Sequence, residues 1–114
     1  MEKTCLFCNI ANNQTEKFLY ENDKLVVFKD IKPSAPVHLL IVPKKHIRSI
    51  NDISEFDGLL IGEMMIAAKK MAEEQGIAKS GYKLLFNVEK GGGQVIFHLH
   101  LHLIGGWKSR EKNL

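Results

Sequence analysis

His98-Leu99-His100-Leu101-His102-Leu103-Ile104, followed by Gly105-Gly106, is the stretch from which the rest of the chain is read. Three of the five histidines stand here at a spacing of two. Successive side chains of a β-strand point to opposite faces. A strand over this stretch therefore puts His98, His100 and His102 on one face and Leu99, Leu101 and Leu103 on the other. The leucine face is one a sheet buries against a core. The histidine face becomes a row of imidazoles about 7 Å apart. Near neutral pH the neutral imidazole is a nucleophile, a base and a metal ligand. Sheet formation does not ask for three of them in a row.

The residues upstream sharpen the reading. Asn87-Val88-Glu89-Lys90-Gly91-Gly92-Gly93-Gln94 sets three glycines ahead of the strand. Glycine adopts positive φ and lets backbone N–H groups approach a ligand closely. Such loops make concave sites for anions, phosphate among them. A glycine turn feeding a strand of imidazoles points to phosphoryl chemistry. With those residues in view, the chain resembles the histidine triad family, whose signature is His-φ-His-φ-His-φ-φ with φ apolar; residues 98–104 match it completely. The trailing Gly105-Gly106 resembles the Hint (histidine triad nucleotide-binding) branch rather than the diadenosine polyphosphate hydrolases. The resemblance runs from about Cys5 to Gly106.

At 114 residues the chain is one domain, 1–114, with 45% hydrophobic and 25% charged content, ordinary for a globular protein. The net charge of +3 is mild. Lys108, Arg110 and Lys112 read as a solvated tail rather than a nucleic-acid-binding arm. Met1-Glu2-Lys3-Thr4 leads into Cys5 without an apolar signal segment, and no apolar run approaches the roughly 20 residues that span a membrane. The expectation is a cytoplasmic protein with neither nucleic acid nor membrane as partner.

Taken in order, Cys5-Leu6-Phe7-Cys8 is open to three readings: a redox pair, a metal knuckle, or two buried thiols. Metal ligation needs two more donors, and His46 and His98 are candidates. Phe7 to Asn13 makes a short helix. Phe18 to Glu21 and Leu25 to Lys29 read as strands joined at Asn22-Asp23. Two prolines make residues 30–36 a loop. Val37 to Val42 is a central strand ended by Pro43. Ser54, with Asp57 three residues on, starts a helix in capping-box fashion. Leu60, Met64, Ala67 and Met71 recur along it, with Leu59, Ala68 and Ala72 widening the stripe, and Gly76 ends it. Tyr82 to Val88 alternates as a strand, antiparallel to the triad strand. The fold class is α+β, a HIT-like fold with a five-stranded antiparallel sheet, one long helix and one short N-terminal helix.

Phosphoryl transfer through a covalent intermediate needs a neutral nucleophile, donors for the non-bridging oxygens and a contact to the leaving group. His100, flanked by a histidine on either side, is the natural nucleophile, and the matching family residue forms a covalent nucleotidyl-histidine. His102 contacts phosphate oxygens or the leaving group, and His98 orients His100. The resemblance further implies that Asn87 hydrogen-bonds ribose or phosphate, Gly93 and the backbone of Val95 contact phosphate, and Asp30 accepts from the ribose. Leu6, Phe7, Ile10, Phe28 and Ile31 match positions that sandwich a purine, although each read alone is more often a core residue. His38 is a candidate to link to the triad by hydrogen bonds. Some family members bind structural zinc through a matching set, which here is Cys5, Cys8, His46 and His98. Part of the long-helix stripe is implied to face a second copy in a homodimer.

One departure is Val95, where vertebrate Hint proteins carry a serine; valine cannot donate. Another is the C-terminal segment from Trp107, which puts leaving-group specificity in doubt. The function implied is hydrolysis of the P–N bond of purine nucleoside 5′-phosphoramidates, AMP or GMP conjugates, with no catalytic cofactor. The alternatives are a dinucleoside polyphosphate hydrolase or nucleotidyltransferase of the same superfamily, and a nucleotide-binding scaffold with incidental activity.

Overall fold

The computed structural model of the protein describes residues 5–13 and 17–108. The readings made on Met1 to Thr4, and on Arg110 and Lys112 in the tail, lie outside the described residues. The architecture is α+β. A short helix α1 (Leu6–Asn13) precedes strands β1 (Tyr20–Glu21), β2 (Leu25–Lys29) and β3 (Val37–Pro43). A long helix α2 (Gly58–Glu74) follows, then β4 (Tyr82–Leu85) and β5 (Leu101–Gly105). The five strands form one sheet in the order β1-β2-β3-β5-β4, antiparallel throughout.

Both faces of the sheet are covered, which is why β2 and β3 read as near-continuous apolar runs. Leu25, Val27, Leu39, Ile41, Leu101 and Leu103 face α2 and meet Met64, Ala68, Met71 and Ala72. Val26, Phe28, Leu40 and Val42 face α1 and meet Phe7, Ile10 and Ala11. Each fully buried leucine or methionine contributes about 1.5–3 kcal/mol. His102 pairs directly with Leu40 across β3 and β5. It therefore stands on the α1 side of the sheet, while its leucine neighbours pack under α2.

Local chemistry sets the ends of α2. Ser54 and Asp57 form the capping box, Ser54 N donating to Asp57 Oδ2 at 2.9 Å. The box closes a 3₁₀ turn, Glu55–Asp57, that feeds α2. Lys45 and the Ser54 backbone N–H hold Asp57 below the usual carboxylate range. At the other end Ile77 N donates to Ala72 O and Gly76 N to Glu73 O, with Gly76 at φ 74°. This is the Schellman arrangement, and it seats Ile77 in the core.

Several boundaries differ from the sequence reading. β5 starts at Leu101, so His98 and His100 precede the ladder instead of lying in it. The face alternation survives, because Leu99, Leu101 and Leu103 all enter the α2 core. β4 ends at Leu85 rather than Val88, and β1 covers Tyr20–Glu21 without Phe18, which packs on the α1 side. Leu59 is 73% exposed and does not belong to the buried stripe of α2, from which it is turned away.

Gly106 sits at φ 89°, and a Cβ there would meet Pro36 Cβ at 3.0 Å and the Val37 backbone N at 3.3 Å. Gly106→Ala is expected to lower stability by about 1–3 kcal/mol, from positive-φ strain plus overpacking. Urea denaturation checks this, and an unchanged midpoint contradicts it.

Candidate active site and metal centre

The first turn of α1 carries two kinds of residue. Cys5 and Cys8, at i and i+3, turn toward His46 and His98. Leu6, Phe7 and Ile10 turn toward a cavity of about 440 Å³. The far wall of that cavity is made by Phe28, Asp30 and Ile31 at the end of β2, and its floor by Asn87, Gly93, Val95, His100 and His102. Every residue matched to a nucleotide-binding position thus lines one cavity. Leu6 and Ile31 are largely exposed, so they are pocket walls and not core. Phe7, Ile10 and Phe28 serve both, being buried in the α1-side core as well. Lys29, Lys32, Leu40 and Ile96 also line the cavity. Sequence reasoning missed them because nothing in their local pattern marks them.

The hydrogen bonds of the triad fix which ring nitrogens carry protons. His100 Nδ1 lies 2.7 Å from the backbone carbonyl of His98. A carbonyl only accepts, so Nδ1 is protonated and Nε2 keeps its lone pair. Burial lowers the His100 pKa below the ordinary imidazole value, so the ring is neutral at pH 7. The Phe7 ring stands edge-on to His100 at 5.0 Å between centroids.

A second chain of contacts runs from the loop after β2. Ser34 N–H donates to His38 Nδ1 at 3.0 Å, which leaves the His38 proton on Nε2. That nitrogen lies 2.9 Å from His102 Nδ1 and 3.4 Å from Asp30 Oδ2. His102 Nδ1 is then the acceptor and its Nε2 carries the proton. The Asn87 side-chain amide lies 3.3 Å from that nitrogen. Its oxygen is the end suited to accept, since amide ends are assigned from the hydrogen-bond network. His38 is therefore joined directly to the triad. The same bonds show that Asp30, His38 and His102, though close enough to hold a cation, are a proton-ordered chain: with Ser34 on Nδ1, His38 has no second lone pair to offer.

His98 is fully buried, and its two ring nitrogens are divided between a backbone carbonyl and the cysteine–histidine cluster. Nε2 donates to Pro43 O at 2.7 Å, at the end of β3. Nδ1 then has its lone pair free, 3.4 Å from both Cys5 Sγ and Cys8 Sγ and 3.2 Å from His46 Nδ1. Cys8 Sγ lies 3.2 Å from His46 Nδ1. All four ligand atoms fall within 4.8 Å of one another. Tetrahedral zinc with Zn–N of about 2.0–2.1 Å and Zn–S of about 2.3 Å requires ligand-to-ligand edges of roughly 3.3–3.8 Å, so the donor set suits such an ion. Burial pushes the His98 pKa down to about 4, keeping it in the neutral form that ligation requires. His98 meets His100 through its backbone carbonyl, while its second ring nitrogen goes to Pro43.

A further network surrounds the glycine loop. Arg48 Nη1 donates to both carboxylate oxygens of Glu89, at 2.7 and 2.6 Å, and Ser49 Oγ donates to Glu89 Oε2 at 2.6 Å. Arg48 first, and then Ser49, hold Glu89 below the usual carboxylate range. Among the described residues, Glu89 is the one non-glycine with positive φ (φ 61°, ψ 175°). That region suits glycine and costs other residues about 1–3 kcal/mol. Sequence reading gave no sign of this network, since its members are some 40 residues apart.

Comparison with known proteins gives the geometry its context. The family model described as "Scavenger mRNA decapping enzyme C-term binding" matches residues 4–113. A purine nucleoside phosphoramidase of Escherichia coli is 38% identical over 107 residues, covering 93% of this chain and 90% of the relative. The crystal structure of a HIT family hydrolase from Legionella pneumophila aligns with a TM-score of 0.88 at 48% identity, covering 91% of this chain and 94% of that one. A zinc-bound histidine triad family protein from Mycobacterium smegmatis aligns at 0.79 with 25% identity, covering 95% and 78%.

Burial, followed by the neighbouring His100 and His38 rings, lowers the His102 pKa to about 4. Its folded value lies below the unfolded 6.5, so the unfolded chain binds more protons between these limits. Stability is expected to be intact above pH 6.5 and to fall as the pH drops toward 4. In an NMR titration the His102 ring carbons are expected to stay in the neutral position down to about pH 4; a midpoint near 6.5 contradicts the assignment.

The fold, the imidazole geometry and these likenesses agree: the chain belongs to the histidine triad family of hydrolases, in its Hint branch.

Proposed function

We propose that this protein, acting as one domain over residues 1–114, binds purine nucleotides and hydrolyses the P–N bond of nucleoside 5′-phosphoramidates. The observation that carries this reading is the His100 tautomer. A neutral imidazole with Nδ1–H tied to a carbonyl and Nε2 free is a nucleophile prepared for phosphorus. Leu6, Ile10, Phe28 and Ile31 offer walls for a flat base, and Asp30 offers a carboxylate for the ribose hydroxyls. Gly93, the Val95 backbone and Asn87 take the phosphate region. His100 Nε2 bonds to phosphorus as the P–N bond breaks, and the amine leaves with a proton taken from solvent, which the attacking water later returns. His102, whose Nε2 carries a proton at the cavity, contacts the phosphate oxygens or the departing group. Water then cleaves the histidine–phosphorus bond and releases nucleoside monophosphate. With Val95 in the serine position, one donor at the phosphate is missing, at a cost of up to a few kcal/mol in transition-state binding.

The reading includes a structural zinc ion held by Cys5, Cys8, His46 and His98, supported by the donor geometry and by the zinc-bound relative. It includes a homodimer. Among the described residues edge strand β4 pairs only with β5, and Leu59, Met65 and Ile66 of α2 expose apolar surface. The thiol form of Cys5 and Cys8 fits a reducing, cytoplasmic setting; no helix among the described residues is long and apolar enough to cross a membrane.

Release of AMP from adenosine 5′-phosphoramidate is expected for the wild type. His100→Ala is expected to lose more than about 10³-fold of it, as when an essential nucleophile is removed, while its circular dichroism is unchanged. A wild type that binds AMP yet turns over nothing overturns the hydrolase reading and favours a nucleotide-binding scaffold. Native mass spectrometry is expected to show a dimer with one zinc per chain. A metal-free or monomeric species as the sole form rejects the corresponding part.

A further inference from the structure

We infer that Arg48, Ser49 and Glu89 form a clasp that holds the glycine loop in its phosphate-binding shape, making Glu89 and Arg48 positioning residues for the nucleotide phosphate. The inference rests on the proposed role of that loop. The loop itself is a run of small residues, Gly91 to Gly93, with little intrinsic preference for one shape. What fixes it is at its two ends. Glu89 N–H donates to Gln94 Oε1 at 2.9 Å, and Glu89 O accepts from Gly92 N and Gln94 N, each at 3.0 Å. Gln94, buried at the far end, donates from Nε2 to Arg48 O at 2.8 Å and to Ile96 O at 3.0 Å. Both ends are thus fastened to residues 48 and 49, the segment that continues from the metal ligand His46.

Three further observations support the clasp. First, the backbone of Glu89 occupies a conformation that glycine would adopt freely, in a loop already rich in glycine. A side chain is kept there, and its carboxylate makes three short bonds to Arg48 and Ser49. A strained residue of this kind persists only where its surroundings over-determine it. Second, the Arg48 guanidinium is itself fixed, lying 4.5 Å above the Phe97 ring. Third, the other side of the loop reaches the chemistry. The Gly93 Cα lies against Asn87, where a Cβ would be 3.9 Å from the amide, and Asn87 meets His102. Neither Arg48 nor Glu89 lines the nucleotide cavity, so their effect on a ligand is transmitted through the loop.

The test uses AMP and adenosine side by side, since the two differ only in the phosphate. Wild type, Glu89→Ala, Glu89→Gln and Arg48→Met are titrated with each by calorimetry. Glu89→Ala and Arg48→Met are expected to weaken AMP on the order of 10- to 100-fold, the scale of a misplaced binding group, with adenosine affinity unchanged. Glu89→Gln, which retains an acceptor for Arg48 and Ser49, is expected to fall between. In ligand-free ¹H–¹⁵N spectra the Gly91 to Gly93 and Asn87 amide peaks are expected to move in both weakened variants, while those of α2 hold. Equal loss of AMP and adenosine, or no loss of either with unmoved loop peaks, overturns the clasp. A wild type that binds AMP no better than adenosine overturns the phosphate reading, and the inference with it.

Discussion

The hydrogen bond from His100 Nδ1 to the carbonyl of His98 joins the two centres of this protein. Both residues of this bond precede the ladder, which the chain enters at Leu101. The bond selects the tautomer of His100, and it makes the position of that ring depend on the residue whose own ring faces the two thiols. His98 in turn is held by Pro43 O, by the edge of the Phe7 ring and by Leu99 N–H donating to Ile47 O at 2.6 Å. A displacement of His98 would be felt at His100 without passing through any side chain of the cavity.

Burial and hydrogen bonding divide the labour among the histidines. Desolvation keeps His98, His100 and His102 neutral, and backbone partners then choose the nitrogen that carries the proton. Pro43 O places it on Nε2 of His98, and His98 O places it on Nδ1 of His100. Ser34 N–H, acting through His38, places it on Nε2 of His102. Of three residues of one type, two apart in sequence, His98 and His102 thereby keep their lone pair on Nδ1 and His100 keeps its own on Nε2.

Much of this was legible in the sequence because it is local. The alternation over 98–104 located the leucines under α2, and Ser54, Asp57 and Gly76 marked the ends of the long helix by capping chemistry. The strand boundaries at Leu85 and Leu101 were not legible. Beyond them the chain is engaged elsewhere in space, Asn87 with His102 and Gln94 with the carbonyl of Arg48. Leu59 was misread because it adjoins Leu60 in sequence, although neighbouring helical positions differ by about 100° around the axis. For the cysteine–histidine set the sequence offered a cysteine pair and two candidate histidines, and family resemblance joined them, its members being up to 93 residues apart. Arg48 and Glu89 left no local signal, since an ion pair across 41 residues looks like two ordinary surface charges.

The order of synthesis runs against the order in which α1 is secured. Cys5, Phe7 and Cys8 are made some 90 residues before His98 and His100, which they face. Closing so long a loop is entropically costly and comes late. The helix that walls the cavity is thus made before the residues that fasten it. A chain cut short of His98 carries the two thiols and His46 without their fourth partner, and only a chain that reaches His98 brings the four together.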